Sequence, residues 1–166
     1  MQQIGLAATE LGSDGYLPTD PAELKDLCAQ FGLQMIGGFV PLVVHRADQI
    51  DATHEAAHRA ASLMSAAGAS VFVTSAVTDW NWGPRSELTT DDWQFAAKTL
   101  AQLDDVVGGY GMTQAIHPHL RTVVETRADI EALLDVSDVG WTFDMGHMQI
   151  GGMDPMEFID VAFDRI

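Results

Sequence analysis

Residues Thr89 to His119 read TTDDWQFAAKTLAQLDDVVGGYGMTQAIHPH. Within them Trp93, Ala96, Leu100, Leu103 and Val107 recur at steps of three and four, the spacing of one helical face. The helix starts at Thr89 or Thr90, carries Asp91 and Asp92 where the helix dipole favours carboxylates, and ends at Gly108-Gly109. Thr113 to His117 then forms a short apolar run that reads as a buried strand and ends on histidines. A helix delivering a strand within a few residues is the repeating piece of a parallel α/β protein.

The same alternation runs outward in both directions. Ala7 to Leu11, Gln34 to Val40, Ser70 to Ser75 and Gly140 to Asp144 read as further strands. One helix opens at Asp20-Pro21-Ala22-Glu23, a capping residue, a proline at the first helical position and a capping-box-like glutamate, with Leu24, Leu27, Cys28 and Phe31 on one face and Gly32 at its end. Another carries Ile50, His54, Ala57, Ala61 and Met64 toward Gly68. Shorter helices run from Thr126 to about Leu134 and from Asp154-Pro155 to the last residue. Five such repeats without a composition shift give one domain over residues 1–166, either a doubly wound sheet or part of a (β/α)8 barrel.

Charge bounds the partners. Eight Lys and Arg against 24 Asp and Glu leave a net charge of −16, so the surface repels polyanions, and nucleic acid is an unexpected partner. Lys25 and Lys98 are the only lysines, which favours a neutral substrate over a phosphorylated one. No apolar run approaches the roughly 18 residues of a membrane span. Gln2, Gln3, Thr9 and Glu10 interrupt any signal-like stretch, so the expected location is cytoplasmic, with no membrane partner. Cys28 lies in an apolar stripe and reads as core filling; His54 and His58 read as structural or exposed.

Polar residues gather where strands end, the ligand-bearing side of parallel α/β folds. Glu10 with the Gly12-Ser13-Asp14-Gly15-Tyr16 turn follows the first strand; Pro41 and His45 follow the second; Thr74-Ser75 end the third; His117-Pro118-His119 end the fourth; Asp144-Met145-Gly146-His147 end the fifth. Asp144, His147, His117 and His119 are oxygen and nitrogen donors of the kind that bind first-row divalent metals, or that form a hydrogen-bonded rim. Trp80 and Trp82 lie beyond the third strand, as pocket walls for a sugar ring or as packing anchors. No glycine-rich phosphate loop and no Gly-x-Ser-x-Gly elbow occurs, so no nucleotide cofactor and no serine-hydrolase chemistry are expected.

The stretch Phe143-Asp144-Met145-Gly146-His147-Met148-Gln149-Ile150-Gly151-Gly152 resembles the Asp-x-Gly-His…Gly segment of xylose isomerase-like TIM barrels. Gly15 to Pro21, Leu33 to Pro41, Ile116-His117-Pro118-His119 and Val123-Val124-Glu125-Thr126 extend the likeness over nearly the whole chain, toward the sugar phosphate isomerase/epimerase branch that includes inosose dehydratases. The resemblance implies a partial (β/α)8 barrel carrying strands two through six, a truncated domain whose remaining strands lie in a longer protein or come from another chain, including a second copy. It implies a divalent metal, Mn²⁺, Co²⁺, Zn²⁺ or Mg²⁺, with Asp144 as a ligand and His147 as a substrate-binding and catalytic residue.

Where the family has a glutamate that serves as ligand and base, this sequence has His117, expected to ligate the metal and to take part in catalysis. His119 is expected to bind substrate, and Glu10 to orient hydroxyls or move a proton. The family's histidine and glutamate from its last strands have no counterpart here. The implied function is a metal-dependent isomerase or epimerase of a small neutral sugar or polyol, acting by proton abstraction beside a carbonyl. An inosose (keto-inositol) dehydratase is the alternative on the same barrel, and a non-catalytic sugar-binding or vestigial fragment the alternative of another class. A DNA-repair endonuclease, a further use of the barrel, is disfavoured by the charge.

Overall fold

The computed structural model describes residues 4–13 and 15–166; the expectations placed on Gln2, Gln3 and Asp14 lie outside them. Five strands form one sheet: β1 (Ala8–Glu10), β2 (Gln34–Leu42), β3 (Val71–Ala76), β4 (Thr113–Ile116) and β5 (Gly140–Trp141). Their spatial order is their chain order, and every neighbouring pair is parallel. A doubly wound sheet reverses its strand order at a switch point, whereas a barrel adds each stave beside the last, so the wall of a barrel is what the chain builds. The helices α1 (Pro21–Gln30), α2 (Ile50–Ala66), α3 (Thr90–Gly109), α4 (Arg127–Val136), α5 (Met145–Ile150) and α6 (Pro155–Ala162) follow in sequence.

Caps hold most of the boundaries. Asp20 accepts the N–H groups of Ala22 and Glu23, and Thr89 with Asp92 and Thr126 with Asp129 form reciprocal capping boxes. Three strand boundaries differ from the sequence reading in a way that matters. Strand β2 runs two residues further, through Pro41 to Leu42, and β4 ends before His117. Strand β5 stops at Trp141, because Asp144 leaves the ladder to cap α5, a helix that Gly146 and its short length concealed.

One face of the sheet meets the helices. Met35, Leu42, Phe72, Ala76, Ile116 and Trp141 on the strands pack with Leu24, Ala57, Ala61, Met64, Leu100, Leu103 and Phe158. The buried stripe of α2 includes Thr53 and not His54; the Thr53 hydroxyl donates to the Val43 carbonyl at 2.8 Å, which satisfies it inside the core. Gln114 is also buried on this side, donating from Nε2 to the Leu100 carbonyl at 3.1 Å and accepting from the Thr74 hydroxyl at 3.3 Å. Cys28 is buried.

Strand alternation sends the other residues inward. Gly37 pairs with Val71 and Pro41 with Ser75, Val71 pairs with Thr113, and Thr74 pairs with Ile116, so His117 falls level with Ser75 and Pro41. No helix among the described residues is long and apolar enough to cross a membrane.

Two glycines separate packing from conformational cost. A Cβ on Gly38 would lie 2.6 Å from Met64 Sδ and 2.9 Å from Leu11 Cβ, while one on Gly108 meets nothing within 4 Å. Gly38→Ala is therefore expected to destabilise by about 1–3 kcal/mol through overpacking. Gly108→Ala, in the last turn of α3, is expected to stabilise by up to about 1 kcal/mol. Urea unfolding of the two variants checks both signs.

Candidate metal centre

His117 occupies the position after β4, and its N–H still donates to the Thr74 carbonyl at 2.9 Å, so the ladder aims its ring inward. The chain then folds back. His119 N–H donates to the Val124 carbonyl, Val123 N–H donates to the Ala76 carbonyl, and the Thr122 hydroxyl donates to the His119 carbonyl at 2.7 Å. Beyond β5, Asp144 Oδ1 accepts the His147 backbone N–H at 2.9 Å, which starts α5 and brings the His147 ring back over the same carboxylate.

Three donor atoms converge there. His147 Nδ1 lies 3.0 Å from Asp144 Oδ2, His117 Nε2 lies 3.5 Å from that oxygen, and the two nitrogens are 3.4 Å apart. Ligands bound at roughly 2.1 Å to one ion stand about 3.0 Å apart at octahedral and about 3.4 Å apart at tetrahedral angles. The triangle therefore fits a single divalent cation held on one side and open on the other. Its donor set, two imidazoles and a carboxylate, suits Zn²⁺, Mn²⁺, Co²⁺ or Fe²⁺.

The electrostatics favour the ligand forms of His117 and Asp144. Burial pushes the His117 pKa down to about 4; Asp144 works against that shift, and His147 and His119 reinforce it. Burial alone would raise the Asp144 carboxyl, but hydrogen bonds from the His147 backbone and ring outweigh it and hold it below its ordinary range. A neutral imidazole and an ionised carboxylate are what a metal requires.

A cavity of about 500 Å³ opens over the triangle, lined by Phe39, Pro41, Trp82, His117, His119 and His147 with Gly12 and Ser13 at its rim. The His119 ring lies 4.3 Å from the His147 ring, and Trp82 stacks on Phe39 at 6.1 Å with 14° between planes. His119 Nδ1 is 2.8 Å from the Leu120 carbonyl. A carbonyl only accepts, so Nδ1 carries a proton, and in the neutral imidazole Nε2 is the nitrogen that keeps the lone pair.

Five of the residues singled out in the sequence thus come together: His117, His119, Asp144, His147 and Trp82. Two do not. Glu10 pairs with Gly37, four residues before Pro41, which sets it about 13 Å lower along the strands. It lines a separate cavity on the inner sheet face with Val73, Ala115 and Thr142. Trp80 is 40% exposed and donates from Nε1 to Gln49 Oε1 at 2.9 Å, outside the cavity lining. Asp79 Oδ1 accepts from the Asn81 and Gly83 N–H groups, and that turn separates the two indoles. His45, also at a strand end, is buried and belongs neither to the donor triangle nor to the cavity lining. Phe39 is the wall residue that sequence reasoning missed, since inside an apolar strand it looks like core.

The family model for xylose isomerase-like TIM barrels matches residues 1–166. The chain is a member of that family. Among its curated relatives, the rhizopine catabolism protein MocC of Rhizobium meliloti is 30% identical over 168 residues, covering 94% of this chain and 50% of the relative. Inosose dehydratase of Geobacillus kaustophilus is 25% identical over 178 residues, covering all of this chain and 57% of the relative. This xylose isomerase-like chain thus spans about half the length of the curated relatives it matches. It superposes with a TM-score of 0.78 on the solved IolI protein with a bound zinc atom, at 15% identity and covering 99% of this chain and 62% of that one. At that identity the likeness concerns the fold.

The depressed His117 pKa has a consequence for metal-free protein. As pH falls below about 6.5 an unfolded histidine takes up a proton that the folded His117 refuses until about pH 4. Stability is expected to be level above pH 6.5 and to fall by up to about 3 kcal/mol between pH 6.5 and 4. Urea unfolding in chelator across that range should show the loss in the native protein and a much flatter profile in His117→Gln.

Proposed function

We propose that this barrel binds a small neutral keto-sugar or keto-cyclitol and catalyses metal-assisted proton transfer beside its carbonyl, as a sugar or polyol isomerase or epimerase. The observation that carries the proposal is the open face of the His117, Asp144 and His147 triangle beneath an aromatic-walled cavity. A divalent cation there would supply Lewis-acid stabilisation of negative charge on the substrate's carbonyl oxygen. His117 stays neutral and oriented by its ladder hydrogen bond. Asp144 holds His147 from two sides, and the flat faces of Trp82 and Phe39 suit the C–H face of a ring.

His119 supplies the base. Its ring lines the cavity with Nδ1 committed to Leu120, which leaves Nε2 of the neutral imidazole to take the proton from the carbon next to the carbonyl while the bonding electrons move onto oxygen. Return of that proton to the other face or to the neighbouring carbon gives epimerisation or isomerisation. Donation of it to a departing hydroxyl releases water instead. The curated relatives named inosose dehydratase favour this second outcome, with a keto-inositol as substrate. Lining residues without a guanidinium or ammonium group, among those described, suit an uncharged ligand in either case.

Metal analysis and solvent exchange test this together. The chain loaded with Mn²⁺, Co²⁺ or Zn²⁺ should retain one ion, and Asp144→Ala should not. In D₂O the loaded chain should place deuterium beside the carbonyl of a keto-inositol or a ketohexose, and His119→Gln should slow that exchange by roughly 10²- to 10⁴-fold. A product lighter by one water identifies the dehydratase, and an epimer identifies the isomerase branch. Ligand binding without any exchange would mark a sugar-binding module and overturn the enzymatic proposal.

A further inference from the structure

Two residues, one in the cavity wall and one bonded to it, hold a backbone conformation that residues with side chains avoid. Trp82 has φ 56° and Arg121 has φ 64°, and among the described residues no other non-glycine residue has a positive φ. Such conformations persist where surrounding interactions over-determine them, and they cluster at ligand clamps. The two belong to different loops, yet they are bonded to each other: Arg121 Nη2 donates to the Trp82 carbonyl at 2.9 Å.

The reason for the second outlier is local. Arg121 N–H donates to Glu125 Oε2 at 2.8 Å, and Thr122 next to it bridges Val77 in the neighbouring loop. The left-handed turn at Arg121 sends the guanidinium back across that bridge onto the Trp82 loop. A second arginine ties the segment after Trp82 to the first turn of α4. Arg85 Nη2 lies 2.6 Å from both Asp129 oxygens, and Asp129 Oδ2 also accepts the Thr126 N–H at 2.7 Å.

We infer that Arg121 is a positioning residue: it clasps the Trp82 carbonyl and thereby fixes the indole as the cavity wall that ligands meet. Trp82 stacks on Phe39 and stands edge-on to His119 at 5.8 Å, so a small rotation of its backbone changes the width of the cavity over the histidines. The clasp thereby sets the width of the cavity that the indole and His119 line together, and with it which ring sizes the cavity admits. Only this effect on ligands rests on the proposed function; the clasp itself does not.

Incorporation of 5-fluorotryptophan gives one ¹⁹F resonance for each of the four tryptophans, with that of Trp82 identified by its loss in Trp82→Phe. Arg121→Gly relieves the left-handed strain, so its thermal midpoint should equal or exceed the native one. Its Trp82 resonance alone should shift and broaden, and Arg121→Lys, which keeps one donor, should restore part of the native position. Bound Zn²⁺ should remain one per chain. KM for a keto-inositol should rise roughly three- to tenfold with kcat little changed, the worth of one well-placed aromatic contact. An unmoved Trp82 resonance in Arg121→Gly overturns the inference. So does movement of all four resonances with a lowered midpoint, which makes the arginine a general support of the fold. If no keto compound is bound, the proposed function fails while the ¹⁹F result still decides the clasp.

Discussion

The Asp144 carboxylate divides its two oxygens between the fold and the site. Oδ1 accepts the His147 N–H and so starts α5; Oδ2 faces the rings of His147 and His117. Because one group does both, the helix cannot shift without carrying His147 off the donor triangle. The neighbouring loop enforces the same geometry from the other side. Arg127 N–H donates to the Gly151 carbonyl, and any Cβ at Gly151 would collide with the Glu125 carbonyl, so the end of α5 is packed directly on the segment that follows His119. A carboxylate at a helix N-cap is ordinarily worth about 1 kcal/mol. Here its position also decides where a cation can sit.

Burial sets the chemical state of that triangle. With three imidazoles within 6 Å of one another beside one carboxylate, attraction to Asp144 would favour protonated His117, and desolvation would oppose it. The net direction is downward, so desolvation together with repulsion from the other two rings wins. The result is a neutral His117 that presents a lone pair, not a charge, at the donor triangle. In a chain with a net charge of −16 the cavity lining is aromatic and imidazole, and the one carboxylate of the donor triangle, Asp144, is engaged by its two histidines.

The sequence showed the repeat plainly, since five strands and their principal helices fall where apolar runs and caps placed them. Hydrophobic periodicity could not choose between a barrel wall and a doubly wound sheet, because that depends on strand order, and order is a long-range property. The family likeness carried that choice. Strand register placed His117 where the sequence pattern put it, whereas a bulge or a turn sets other residues apart from the cluster. The irregularity at Thr9 and Glu10 and the Asp79 turn are such places, and they account for Glu10 and Trp80. Helix α5 hid for a related reason: six residues with a glycine second in line have neither the length nor the propensity to show a face.

The strands around the site are short, two to four residues in β4 and β5, so their ladders alone hold His117 and Asp144 by few hydrogen bonds. Precision at the cavity comes instead from loops that hydrogen-bond to one another as strands do: Val77 with Thr122, Val123 with Ala76, His119 with Val124, Arg127 with Gly151. Each of these bonds joins one repeat to the next or turns a loop back on itself, on the side where β3, β4 and β5 end. Asp129 extends the pattern into side chains, since a single 8% exposed carboxylate caps α4, receives Arg85 from the preceding loop and accepts the Glu125 N–H at 3.2 Å. Removing its charge would leave a buried guanidinium edge and open N–H groups together, a cost far above that of a surface pair. The side of the sheet where these strands end is therefore held by bonds between its loops, and that cross-linking is what lets two non-glycine residues, Trp82 and Arg121, remain in the left-handed region.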